Sequence, residues 1–297
     1  MIPLPWLELS IRCSRRDWPR IESALEEIGA LSVTLLDAED EPILEPGPGE
    51  TPLWRELSAN ALFEAGADRR GITAVLQELV PWLDPARLAF REVADADWSR
   101  AWMDQYKPMR FGRRLWIYPS TIEPAQDADT VVVRLDPGLA FGTGTHPTTA
   151  LCLAWLDGLD LAGASVLDYG CGSGVLAIAA LQLGAARAVG VDNDPQALQA
   201  SRDNAGRNGV SSALTLLAPD ADGIGVHPVV VANILAGALV ALEPVLAAAC
   251  ARGGRIALSG ILRGQADEVL AAYAPDFDEL VVETLEDWVR ITGRRKA

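Results

Sequence analysis

The sequence is short of cysteine, of positive charge and of long apolar runs. Its four cysteines (Cys13, Cys152, Cys171, Cys250) are widely scattered and form no C-x-x-C pair. That spacing argues against a zinc cluster and a disulfide framework, and fits a reducing cytosol. Lysine and arginine number 25 against 41 aspartates and glutamates, a net charge of −16. Such a balance is ill suited to gripping nucleic-acid phosphates. It suits a soluble enzyme, or one whose macromolecular partner is basic. The greasiest stretch, Pro228 to Leu242, runs 15 residues without a charge, contains Asn233 and ends at Glu243-Pro244. Spanning a bilayer takes about 20 apolar residues, so this stretch reads as a buried strand entering a packed helix. The opening MIPLPWLELSIRCSRR shows no basic leader before an apolar run, and no secretory signal is expected.

What is present is material for a core. Apolar residues make up 49% and mean hydropathy is +0.15, which excludes a disordered chain. The length suits one large domain or two.

Residues 1–94 read as two strand–helix passages. Trp6–Ile11 alternates apolar and polar side chains, as a half-buried strand does. Trp18–Ile28 puts Ile21, Leu25 and Ile28 on one helical face, and Gly29 stops it. A strand at Leu31–Leu35 follows, then an exposed Pro/Gly/Glu-rich loop over Glu39–Pro52. A strand at Leu57–Phe63, a helix at Ile72–Leu83 and a strand at Arg87–Val93 complete a βαββαβ order. This is the ferredoxin-like arrangement, a platform that by itself says little about function. Residues 95–118 read as a helical linker, with Asp97 capping a short helix that carries Trp98, Trp102 and Tyr106, Pro108 ending it and Gly112 turning the chain.

Residues 119–297 form the second expected domain. From Ser165 onward, nearly continuous apolar strands alternate with helices, the pattern of a parallel sheet buried on both faces. Strands are expected at 165–169, 188–191, 214–217, 229–232 and 255–259. Helices are expected at 175–183, 195–208, 236–251 and 265–273. The last two strands, 279–283 and 288–292, are too closely linked for a crossover and read as an antiparallel hairpin.

Three polar features fall at strand ends. Asp168-Tyr169-Gly170-Cys171-Gly172-Ser173-Gly174 joins the first strand to the first helix; glycines let backbone approach a ligand, and the helix amino end offers free N–H donors. The spacing departs from the dinucleotide fingerprint G-x-G-x-x-G. Asp192 ends the second strand, where a carboxylate can take both ribose hydroxyls, while Asp194 is better placed to cap the following helix. Asn233 ends the fourth strand, and its neutral amide can accept an amine N–H while leaving the nitrogen lone pair free. In open parallel sheets ligands bind at such carboxyl ends, near the point where strand order reverses. His146, between Thr145 and Pro147, suits a loop-shaping residue. His227 and Cys171 read as structural.

The D-x-G-x-G-x-G form is characteristic of S-adenosylmethionine-dependent methyltransferases. Upstream lies AFGTGTHPTT (Ala140–Thr149), a glycine- and threonine-rich loop opening a helix at Ala150–Leu156. Together with DYGCGSG, VDNDPQAL and VVANILA, it makes the chain closely resemble the bacterial ribosomal protein L11 methyltransferases over essentially its whole length. The resemblance implies a class I methyltransferase Rossmann-like sheet behind the ferredoxin-like α+β domain. It also implies S-adenosyl-L-methionine as cofactor and amines of a basic ribosomal protein as substrate, both the amino terminus and lysine side chains. On it, Thr149, Asp168, Gly170, Gly172, Gly174, Asp192 and Asn233 contact the cofactor. Asp168 answers its ammonium, and Asn233 stands beside the reacting methyl as the catalytic residue. The first domain would recognise substrate, and the segment near Trp98–Pro108 would let it move. Where amine-modifying relatives carry Asn or Asp before Pro-Pro-Tyr/Phe, this chain has Asn-Ile-Leu-Ala, without the aromatic. A small-molecule amine methyltransferase and a non-catalytic cofactor-binding regulator are the alternatives. No metal, membrane or direct nucleic-acid contact is expected, and a cytoplasmic monomer is the default.

Overall fold

The computed structural model describes residues 6–39, 53–93, 107–124, 129–136 and 146–297. The chain divides into two compact units between Trp98 and Ser99.

In the first unit, β1 (Trp6–Ser14), α1 (Trp18–Glu27), β2 (Ser32–Asp37), β3 (Glu56–Phe63), α2 (Arg69–Leu79) and β4 (Leu88–Val93) follow in βαββαβ order. The antiparallel sheet runs β2-β3-β1-β4. Alternation decides its faces: Leu7, Leu9, Ile11 and Cys13 point inward from β1, and Leu57, Ala59, Ala61 and Phe63 from β3. Ile21 and Leu25 of α1 and Leu76 of α2 close over them. Helix α2 starts three residues before the expected Ile72, because Asp68 caps it and accepts the Arg70 N–H at 3.0 Å. It ends at Leu79 rather than Leu83, because Val80 precedes Pro81, and a residue before proline is pushed out of helical conformation. The exposed loop expected at Glu39–Pro52 falls, apart from Glu39, outside the described residues, as does the short helix expected to carry Trp98, Trp102 and Tyr106.

Beyond Pro108, where the linker helix is expected to end, residues 109–118 of the expected 95–118 linker form strands rather than a connection. Met109–Phe111 forms β5 and Leu115–Tyr118 forms β6, and the parallel β7 (Val131–Arg134), which sequence periodicity did not reveal, joins them. Phe111, Leu115 and Ile117 enter the core of the second unit, and burying them favours a hairpin over a linker. Gly112 makes the turn at φ +68°, where a Cβ would overlap the carboxylate of Asp157. Asp157 is buried and accepts the N–H groups of Arg113 and Arg114.

The main sheet has seven strands in the order β10-β9-β8-β11-β12-β14-β13. They are β8 (Ser165–Tyr169), β9 (Arg187–Val191), β10 (Leu214–Leu217), β11 (His227–Asn233), β12 (Cys250–Leu262), β13 (Phe277–Leu285) and β14 (Trp288–Arg295). The first five are parallel; β14 runs antiparallel between β12 and β13, so the expected terminal hairpin is inserted with its second strand inward. Every residue of β8 is buried. The helices are α3 (Pro147–Asp157), α4 (Val175–Gln182), α5 (Pro195–Arg207), α6 (Ala236–Ala241), α7 (Glu243–Ala249) and α8 (Ala266–Tyr273). Helix α4 is apolar all round and buried from Val175 to Leu181, as a helix enclosed on all sides must be. Helix α3 begins at Pro147, ahead of the expected Ala150, because His146 caps it and proline suits its first turn. The single helix expected over 236–251 breaks at Leu242. Pro244, lacking an N–H, cannot continue the ladder and instead starts α7. Among the described residues, no helix is long and apolar enough to cross a membrane.

Candidate cofactor and acceptor site

Strand order reverses between β8 and β11, and the polar strand ends meet there. Tyr169 pairs with Val191 on one side and with Ala232 on the other. The residues one step beyond, Asp192, Gly170 and Asn233, therefore stand side by side on the carboxyl rim, neighbouring strands being about 4.8 Å apart.

The glycine loop turns at positions whose backbone other residues adopt only with strain. Gly170, Gly172 and Gly174 have φ of +78°, +54° and +77°. A Cβ on Gly170 would overlap Ile234 Cγ2, and one on Gly174 would sit 2.7 Å from Ser201 Oγ. Gly172 donates its N–H to Asp192 Oδ2 at 2.8 Å, and Asp194 N–H reaches Asp192 Oδ1 at 3.0 Å. Asp194 caps α5 through Gln196 N–H at 2.8 Å, so Asp192 is free of that task. Two residues escaped the sequence reading: Ser201 Oγ donates to Gly172 O at 2.8 Å, and Asn204 Nδ2 to Ser173 O at 2.9 Å. Their sequence signal was a polar pair three residues apart on the buried face of α5.

Asp168 is wholly buried at the end of β8. Its Oδ2 accepts Ala177 N–H at 3.0 Å, while Oδ1 has no partner among the described residues. Burial pushes its carboxyl up to about 7; the Ala177 N–H opposes the shift and the Asp192 charge adds to it. A buried acceptor without a donor is costly, and a ligand ammonium would relieve that cost.

Asn233 ends β11. Its Nδ2 donates to Thr149 Oγ1 at 3.3 Å, and its buried Oδ1 has no partner among the described residues. Thr149, on the first turn of α3, is itself buried. His146 bonds locally, its Nδ1 lying 2.7 Å from Thr148 Oγ1, and its ring meets Trp288 edge-on at 4.7 Å. Burial lowers its pKa against the opposing pull of Glu286. These contacts make it the cap of α3, bonded locally to Thr148. His227 lies at the opposite rim, between Ser165 Oγ at 2.7 Å and Ile224 O at 2.6 Å. Cys171 is buried in the glycine loop, where desolvation raises its thiol and disfavours the thiolate. The loop residues 137–145 lie outside the described residues. Among the described residues no group of histidine, cysteine and carboxylate side chains could hold a metal ion.

A parallel sheet with an antiparallel strand inserted beside its edge, a glycine loop after the first strand and a carboxylate after the second define a class I methyltransferase fold. The ribosomal protein L11 methyltransferase (PrmA) family model matches residues 5–296. Ribosomal protein L11 methyltransferases from Stenotrophomonas maltophilia (strain R551-3) and Pseudomonas aeruginosa (strain LESB58) are 57% and 55% identical, each alignment covering 99% of this chain and all of the relative. A solved structure titled ribosomal protein L11 methylase, from Lactobacillus delbrueckii subsp. bulgaricus, superposes with a TM-score of 0.58 at 31% identity, covering 65% of this chain and 99% of that one. The chain belongs to the ribosomal protein L11 methyltransferase family, and is thereby an S-adenosylmethionine-dependent methyltransferase.

Proposed function

We propose that the chain moves methyl groups from S-adenosyl-L-methionine to the amino-terminal amine and lysine side chains of ribosomal protein L11. The observation that carries this reading is the juxtaposition of Asp192, Gly170 and Asn233 at one rim, flanked by two buried acceptors, Asp168 Oδ1 and Asn233 Oδ1, that lack partners among the described residues.

The residues fit the cofactor. Asp168 Oδ1 would take its ammonium. Asp192, with two of its acceptor sites used by Gly172 and Asp194, keeps others for two ribose hydroxyls. The Gly170–Gly174 backbone would lie against the bound molecule, with Thr149 beside Asn233. When bound, S-adenosylmethionine supplies an electrophilic methyl group on a positively charged sulfur.

The protein's own work is alignment and desolvation. An in-line displacement gains most from holding the reacting atoms about 3–3.5 Å apart. A lysine ammonium has an ordinary pKa near 10.4 and carries no lone pair; an apolar surrounding disfavours its charge and lets the neutral amine form. Asn233 Oδ1 then accepts one amine N–H and points the lone pair. Because the amide is uncharged, it does not hold the amine in its protonated form, as a carboxylate would. Thr149 fixes the amide by accepting from Nδ2.

In this reading the first unit recognises the substrate, the segment after it serves as a linker, and the protein works in the cytoplasm as a monomer without touching nucleic acid. The net charge of −16 supports a basic protein substrate. The test is incubation of the full chain with labelled S-adenosylmethionine and purified L11, followed by peptide mass spectrometry. Methylated amino-terminal and lysine-bearing peptides are expected. Label on small amines with none on L11 favours the small-molecule alternative, and absence of any transfer overturns enzymatic function altogether.

A further inference from the structure

Between Asn233 and α6 the chain reads Ile234-Leu235, and Ile234 is held at three points. Its N–H donates to Ser259 O at 3.1 Å. Its carbonyl occupies space that a Cβ on Gly260 would overlap, with the carbonyl carbon 2.8 Å from that position. Its Cγ2 occupies the corresponding space at Gly170. The two glycines stand on different segments, one in the cofactor loop after β8 and one within β12, and both have positive φ, +78° and +84°. The pairing of β12 with β14 also slips in register between Leu258 and Ile261, so β12 bulges where the Ile234 backbone crosses it. A bulge with glycine weakens a strand and needs a local reason; making room for the Ile234 backbone supplies one.

We infer that Ile234 is a positioning residue for methyl transfer, its Cγ2 seated on Gly170 and its carbonyl in the Gly260 bulge, so that the cofactor loop and Asn233 keep one separation. The inference rests on the functional reading above. Asn233 is joined directly to Ile234, so a shift of the peg moves the amide that receives the amine. Displacing reacting groups by about 1 Å can cost about 10²-fold in rate. The contact is made by a methyl on the β-carbon, which sets a stereochemical requirement beyond size: valine keeps that methyl, while leucine keeps the volume without it and alanine has neither.

The experiment compares Ile234→Val, Ile234→Leu and Ile234→Ala in the full chain, measuring kcat on L11 at saturating cofactor and substrate. Cofactor affinity by calorimetry and Tm are measured on the same samples. Valine is expected to hold the parent kcat. Leucine and alanine are expected to lower it by about 10–100-fold, with cofactor affinity little changed. Gly260→Ala, which pushes the peg rather than trimming it, should lower kcat in the same way, its fold checked by circular dichroism. A packing role alone predicts losses of kcat that track Tm across the series; parent-like kcat in Ile234→Leu and Ile234→Ala, or a kcat that merely follows Tm, overturns the inference. A parent chain that binds cofactor but methylates no L11 overturns the functional reading instead.

Discussion

Asp168 illustrates how a functional residue is held at a cost to stability. Its carboxyl is raised from an ordinary 3.8 to about 7 by burial. The folded state therefore holds a proton that the unfolded state has released, and this group's contribution to stability falls as pH rises from about 4 to about 7. Asp168→Asn should accordingly raise the Tm of the ligand-free protein at pH 8 while weakening cofactor binding, read by calorimetry. In the parent, cofactor affinity should weaken by about tenfold per pH unit below 7, because only the ionised carboxylate answers an ammonium. The Asn variant should lose that slope; an unchanged slope would detach Asp168 from the cofactor. Asn233→Ala should keep the fold and lower kcat at saturating cofactor by about 10²-fold, the scale of a lost orienting contact. Parent-like turnover would remove Asn233 from the chemistry. These residues were legible in the sequence because each closes a strand in a recognisable local motif. Ile234 and Gly260 were not, because their importance lies in space shared with segments far away in the chain.

At the scale of elements, the glycine loop is a strand–turn–helix passage held from outside by α5. Ser201 and Asn204 bond its carbonyls across 29 and 31 residues, a separation that no local pattern registers. Each hydrogen bond contributes about 1 kcal/mol, so replacing both residues by alanine removes about 2 kcal/mol and should weaken cofactor affinity by up to roughly 30-fold, measured calorimetrically, with kcat at saturation spared. Unchanged affinity would mean that the loop holds its shape unaided. The same limit explains the misread elements. Periodicity placed β8, β9, β11 and their helices, because buried parallel strands leave continuous apolar runs. It carried a single helix through Pro244, and it left residues 109–118 in a linker, since the burial of Phe111, Leu115 and Ile117 depends on helices packed from elsewhere.

For the whole molecule, charge is the property that sequence reports most directly. A net −16 facing a basic substrate should speed encounter through the long-range field. Raising salt from low to physiological ionic strength should then lower kcat/KM for L11 by about tenfold, with kcat unaltered. A flat salt profile would show that steering plays no part. By itself the sequence determined the βαββαβ unit, the run of buried strands, the glycine loop and the polar residues that close the strands, because periodicity and turn chemistry act over a few residues. Tertiary structure alone decided that β8 lies between β9 and β11, that β14 enters between β12 and β13, and that Ile234 fills the space left by two glycines. Those outcomes depend on which distant segments share a boundary, and they are what bring Asp192, Gly170 and Asn233 together.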